Sequence, residues 1–277
     1  MGIAENSVRW LMKQVEEHKL AGSVLSLGKT DVEFNERKLL WLLAERGLVS
    51  AERRAPGTPV EFSVPSPYRE KLDTLRRDDR LLALKRQRRE AGLLSDVTLY
   101  QILGFDVMHS LDINDYEGAD ILYDLNIDGL TSVLSQQYDL ITNFGTLEHV
   151  FNLPMALKNI FDATKIGGRI LHWSPTNNWV DHGFYQISPT FYYDYYRYNN
   201  FSIKMIQVHE LRKELPIDLW SVTDYRPGAL DELNHGGFDS GLYNVAILVE
   251  KTENSTWNAI PSQRIYQDGI WINNRIA

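Results

Sequence analysis

Ser23-Val24-Leu25-Ser26-Leu27-Gly28-Lys29-Thr30-Asp31-Val32 is the stretch on which the fold turns. An aliphatic run reaches a glycine at its carboxyl end, as where a sheet strand gives way to a loop and then a helix. Upstream, Val8, Leu11, Met12 and Val15 recur at helical spacing, so residues 5–20 read as a helix stopped by Gly22. Downstream, a second helix is expected from about Asp31 to Gly47, with Asp31 near its N-cap and Phe34, Leu39, Leu42 and Leu43 toward the sheet.

Beyond it the composition shifts. "SAERRAPGTPVEFSVPSP" reads as a connector, and residues 68–92 as one helix with nine basic and five acidic residues and a stripe of Leu72, Leu75 and Leu82. That charge is most simply a solvated face; the sharper reading is a lid whose arginines hold an anionic acceptor. A short helix, "SDVTLYQILGF", leads to a second strand, "VMHSLDI". The long separation between these two strands makes residues 50–95 an inserted helical lid within a single domain spanning 1–277. After it, "ADILYDLN" and "YDLITNF" read as strands three and four. "NLPMALKNIFDAT" reads as a helix with Asn152 as N-cap and Gly167-Gly168 at its end, and "GRILHWSP" as strand five. "IDLWSVTDYRP" and "LYNVAILVEKTE" look like an antiparallel hairpin. The expected fold is α/β: a doubly wound, mostly parallel, seven-stranded sheet with an antiparallel edge.

Composition narrows the function. A net charge of −8 argues against nucleic-acid binding, because neutralising phosphates takes an excess of Lys and Arg. With no cysteine, disulfides, cysteine nucleophiles and thiolate metal sites are excluded. No run is long enough to span a membrane and the N-terminal stretch has no signal-peptide core, so a cytoplasmic location is expected.

In wound sheets ligands bind beyond the carboxyl ends of the strands, where strand order reverses. The residues found there are Gly28 after strand one, Asp112 with Ile113 at the end of strand two, Asp124, Leu125 and Asn126 after strand three, "NFGTLEHV" after strand four, and "SPTNNWVDHGFYQISPTFYYDYY" after strand five. Together these resemble the class I S-adenosylmethionine-dependent methyltransferases, particularly the small-molecule branch with a "LEH" segment. The resemblance covers most of residues 20–250 outside the insertion. It implies S-adenosylmethionine as cofactor. Gly28, Lys29 and Thr30 would cradle its methionine part, Asp112 would hold the ribose, and Asp124, Leu125 and Asn126 would border adenine. Asn143, Phe144 and Gly145 would line the sulfonium. "KIGGRILHWSP" and "DHGFYQISPTFYYDYY" are similar to the family's elements before and after strand five, the latter on the acceptor side.

The departure is the opening loop. The family pattern is close to D-x-G-x-G-x-G, whereas this chain has Ser26 at the acid's place and Thr30 and Val32 where glycines stand. The loop also lacks the G-x-G-x-x-G of nicotinamide-dependent enzymes. The sulfonium cofactor has no pyrophosphate, so close backbone approach is less demanding. For transfer to a small-molecule hydroxyl, a base is needed near neutral pH. His149 and His182 fall after sheet strands and are the candidates, Tyr185 is the candidate acceptor contact, and His172 within strand five reads as a core residue. No histidine–carboxylate cluster shows metal-ligand spacing along the chain, so no metal is expected. Transfer to nitrogen, or a non-catalytic methyltransferase-like partner subunit, remain the alternatives, the altered loop favouring the latter.

Overall fold

The computed structural model describes residues 2–55, 57–212, 215, 220–233 and 236–263. In chain order they form β1 (Gly2–Ile3), α1 (Glu5–His18), β2 (Gly22–Leu27), β3 (Asp31–Val32), α2 (Glu36–Glu45), β4 (Ser50–Glu52), β5 (Glu61–Ser63), α3 (Ser66–Arg77), α4 (Arg86–Glu90), α5 (Asp96–Ile102), β6 (Phe105–Asp112), β7 (Ile121–Leu122), β8 (Tyr138–Phe144), α6 (Leu153–Ala163), β9 (Thr164–Asn177), α7 (Pro189–Tyr198), β10 (Ser202–Leu211), β11 (Val222–Asp224) and β12 (Leu242–Glu250). Short 3-10 turns lie at Leu130–Ser132 and Leu147–His149.

The main sheet has eight strands in the order β11-β10-β12-β9-β8-β2-β6-β7. β7, β6, β2, β8 and β9 are parallel, and β12, β10 and β11 add antiparallel pairings at one side. β2 lies between β6 and β8, so the connections leave it in opposite directions and a crevice opens beyond its carboxyl end. Alternation along β2 feeds two cores. Val24 packs with residues of α1, α2, α3 and α5 on one face, and Leu25 and Leu27 with those of α6 and α7 on the other.

The helix on that second face shows how local sequence does this. In α6, Leu153, Ala156, Leu157, Ile160 and Ala163 recur at spacings of three and four and are all buried. Each buried leucine or isoleucine contributes about 1.5–3 kcal/mol. Asn152 caps the helix by accepting from Met155 N–H at 3.4 Å, and extended Thr164 ends it by entering β9. Gly167 and Gly168, expected to stop the helix, instead lie inside β9, where a Cβ at Gly168 would come within 3.0 Å of Tyr138 O.

Other boundaries also move. α1 ends at Lys19, whose left-handed φ of 52° terminates it, and Gly22 starts β2. Asp31 belongs to β3, which pairs with β1; α2 begins at Glu36 with Asn35 as its cap. The supposed connector carries a small β4–β5 hairpin. The long charged helix is broken in two, because Asp79 adopts φ 58° while its N–H bonds Arg76 O and that of Arg80 bonds Leu75 O. Much of its charge is paired: Arg76 with Glu36 and Asp73, Arg89 with Asp79, and Arg86 with Glu90.

The third strand shrinks to β7, because Asp124 accepts from Asn126 N–H and turns the chain away. The expected final hairpin is also corrected. β12 pairs with β10, a strand the sequence reading did not mark, and β11 lies on the far side of β10 as an eighth strand. Residues 217–219 of the first expected hairpin arm lie outside the described residues. No helix among the described residues is long and apolar enough to cross a membrane.

Candidate active site

Beyond the carboxyl ends of β2, β6 and β8 lies an open crevice of about 760 Å³, a space that includes its solvent-filled mouth. Its walls carry Gly28, Lys29, Thr30, Asp112, Ile113, Asp124, Leu125, Asn126, Phe144, Gly145 and His149, all residues singled out in the sequence.

The floor is fixed by the backbone. Gly28 N–H bonds Leu111 O at 2.7 Å, joining the end of β2 to that of β6. Gly28 has φ 76°, and a Cβ there would stand 2.5 Å from Thr146 Oγ1, which itself donates to Leu27 O at 2.7 Å. Only glycine fits at this place. Asp112 sits across the gap. Its Oδ2 accepts from Lys29 N–H at 3.1 Å and its Oδ1 from Ile113 N–H at 2.7 Å, which orients the carboxylate and leaves lone pairs for a diol.

Lys29 keeps its side chain out of the ligand space. Its ammonium turns away to the insertion side and bonds Asp96 Oδ1 at 2.8 Å, both residues being buried. Asp96 also accepts from Val97 N–H, but its Oδ2 has no partner among the described residues, and burial pushes its carboxyl up despite the lysine. Thr30 and Ser26 join their hydroxyls at 3.1 Å, closing the space that an acid at position 26 would face.

Two of the expected contacts spend their side-chain amides on the protein itself. Asn143 is fully buried outside the crevice; its Oδ1 accepts from Thr146 and Leu147 N–H and its amide reaches Ser174 Oγ, so it shapes the loop rather than touching a ligand. Asn126 lines the crevice, yet its amide donates to Asp124 Oδ1 and its oxygen accepts from Asn152 N–H, leaving Asp124 and Leu125 as the more available neighbours. Glu117, Tyr123, Thr146 and Val150 also line the crevice and were not singled out. They lie just after strand ends, where the placement rule pointed, but short loops of ordinary residues carry no distinguishing motif.

At the far wall the structure joins what the sequence held apart. His149 and His182 have ring centroids 5.1 Å apart, and His182 Nε2 lies 3.5 Å from Oε1 of the wholly buried Glu148. His182 itself does not line the crevice and also packs on Trp179 at 4.8 Å. Tyr185 lies outside the crevice too, its hydroxyl donating to Phe151 O at 2.8 Å. Glu148 O accepts from Phe184 and Tyr185 N–H, and a Cβ on Gly183 would stand 2.8 Å from that carbonyl, so Gly183 permits the approach.

Burial pushes the Glu148 carboxyl up to about 7. Burial, aided by the neighbouring His182, holds the His149 ring below the usual imidazole range, favouring its neutral form. No histidine–carboxylate group shows metal-ligand spacing along the chain, but in the fold Glu148, His149 and His182 present ligand-type atoms within 4.8 Å of one another, brought together by the loop after β9. His172 is the buried residue expected, between Tyr196 and Asn143.

Residues 52–216, more than half of the chain, match a family model described as a methyltransferase domain. The chain belongs to this methyltransferase family. Its sheet has the Rossmann-like layout of class I methyltransferases, whose methyl donor is S-adenosylmethionine. The crevice lining combines the acids Asp112, Glu117 and Asp124 with the apolar side chains of Leu125 and Phe144. No curated protein matches the methyltransferase sequence. Among solved structures, TehB from Haemophilus influenzae is 17% identical over 57% of this chain and 53% of its own, with a TM-score of 0.34. The match thus spans about half of TehB. The N-methyltransferase NodS from Bradyrhizobium japonicum WM9 is 9% identical over 88% of this chain and 94% of its own, at 0.38. A SAM-dependent methyltransferase from Archaeoglobus fulgidus is 12% identical over 88% and 95%, at 0.40.

Proposed function

We propose that this methyltransferase transfers a methyl group to the hydroxyl of a small molecule, with the acceptor entering beside His149. The observation that carries this reading is the arrangement of one crevice: the Asp112 carboxylate on one wall, bonded to the Lys29 amide, and the imidazole of His149 on the other. In this assignment Asp112 holds the ribose, and Asp124 and Leu125 border the adenine with Asn126 bracing their turn. Gly28, Lys29, Thr30 and Ile113 frame the loop, and Phe144 and Gly145 line the reacting end in front of Asn143.

S-adenosylmethionine supplies the activated methyl group. The chain's own part is to position the acceptor, exclude water and receive a proton. His149, kept neutral by burial, takes the hydroxyl proton at a ring nitrogen, and Glu148 and His182 stand beside it to share the charge. Exposed Phe151, Phe184 and Val180 suit an acceptor with an apolar body that passes Tyr185. Residues 50–95 act as the lid. Lys85 pairs with Glu117 of the crevice wall, and Leu84 packs against Gly118, so the insertion borders the entrance.

Calorimetry with S-adenosylhomocysteine tests the donor half: micromolar binding by the native chain, weakened tenfold or more by Asp112→Ala, is expected from losing charge-assisted hydrogen bonds of about 1.5–3 kcal/mol. A screen of hydroxylated metabolites with mass detection of methylated product tests the other half. A second reading, a binding subunit that has lost catalysis, draws on Thr30 and Val32, which stand where the family carries glycines. No binding at millimolar cofactor would favour it.

A further inference from the structure

We infer that Glu148, His149 and His182 form a binding site for one divalent transition-metal ion at the acceptor end of the crevice. The inference rests on the methyl-donor assignment only for what the ion does there, not for its binding. Two imidazoles and one carboxylate are a recurrent donor set for zinc, manganese and iron(II), and leave coordination positions open.

Three independent observations point to a cation. The first is proximity: the three ligand atoms lie within 4.8 Å of one another, and His182 Nε2 to Glu148 Oε1 is already 3.5 Å. With bonds of about 2.0–2.2 Å, donors around one ion stand roughly 3–3.5 Å apart, so closing the set takes a rotamer adjustment of about an ångström. The second is an orphaned acid. Glu148 is wholly buried, and neither of its carboxylate oxygens has a hydrogen-bond partner among the described residues. A buried carboxylate without donors costs several kcal/mol, and a bound cation offsets that cost. The third is rigidity of the backbone. Phe184 and Tyr185 N–H both bond Glu148 O, Gly183 lacks the Cβ that would block this approach, and Asp181 takes a φ of 63° to bring His182 round.

His149 also lines the donor crevice, so the open coordination positions face the place where the methyl group is presented. The substrate class follows: an acceptor with an oxygen donor that ligates the ion, which then takes over from the His149 ring the activation of the hydroxyl, whose proton passes to solvent. The apolar rim of Phe151 and Phe184, whose rings meet edge to face at 5.5 Å, suits a hydrophobic frame behind that oxygen.

The test is metal binding by the full chain stripped with chelator, titrated separately with zinc, manganese and cobalt(II) ions. One equivalent of at least one of these is expected to bind at micromolar affinity or tighter, and cobalt(II) should give the visible absorption of a nitrogen- and oxygen-ligated site. His182→Ala, at a half-exposed position, and Glu148→Gln should each weaken binding tenfold or more, and His182→Ala keeps the test open should the buried variant fail to fold. S-adenosylhomocysteine affinity should stay within twofold in His182→Ala, so that loss of the metal and failure of the donor site read out separately. No stoichiometric binding of any of the three ions at millimolar concentration would overturn the site, as would binding unchanged in both variants. In that event the histidines act as an ion-free base pair.

Discussion

Lys29 and Asp96 show how single residues reshape the cofactor loop. Lys29→Met should destabilise the fold by about 3–5 kcal/mol, because it strands a buried carboxylate, and Lys29→Met with Asp96→Leu should recover most of that. Denaturant unfolding of the two variants checks both signs. At the opposite wall, His149→Ala should lower turnover about a hundredfold or more while S-adenosylhomocysteine affinity, measured by calorimetry, stays nearly unchanged. At this scale the sequence was legible where chemistry and position coincide, as at Asp112 and Gly28. It was not legible for Glu148: a carboxylate in a common "LEH" segment gives no sign that its oxygens will be buried without donors. Nor does a separation of more than thirty residues announce that His182 will meet His149.

Among the elements, β8 was readable to the residue, because a β-branched and aliphatic run bounded by turns has one interpretation. The failures occurred where two signals compete. Residues 78 and 79 lie within a charged run whose leucine stripe continues at helical spacing, yet a left-handed Asp79 closes α3 there. β10 was missed because its alternation is weak, and its place between β11 and β12 is set by tertiary pairing.

The strands also bury titratable groups. Burial pushes His172 in β9 down to about 3 and His209 in β10 down to about 4. Both are neutral in the fold, while the unfolded chain takes up protons below about 6.5. Their contribution is therefore complete above that pH and is lost as pH falls toward 4, at about 1.4 kcal/mol per pH unit for each group. Glu148, pushed up to about 7, works in the opposite direction over part of that interval, but two histidines outweigh one carboxyl. The melting temperature should thus fall between pH 7 and pH 5, which a thermal denaturation series measures.

Over the whole molecule, the doubly wound sheet could be foreseen from alternating strands and helices, whereas the insertion's internal build could not. Lys29 reaches Asp96 and Glu117 reaches Lys85, so the segment around residues 80–96 is tied to the crevice at two points. Saturating S-adenosylhomocysteine should therefore slow amide hydrogen exchange in that segment, as mass spectrometry of deuterated peptides would record. The buried pair has a longer reach in the history of the chain. A descendant that acquired a small residue at position 29 would inherit an interior acid with no counter-ion, and one that lost the acid first would strand an ammonium. Either single step is disfavoured, so the two positions are expected to change jointly or to persist jointly, and the unusual loop is entrenched by a residue far along the polypeptide.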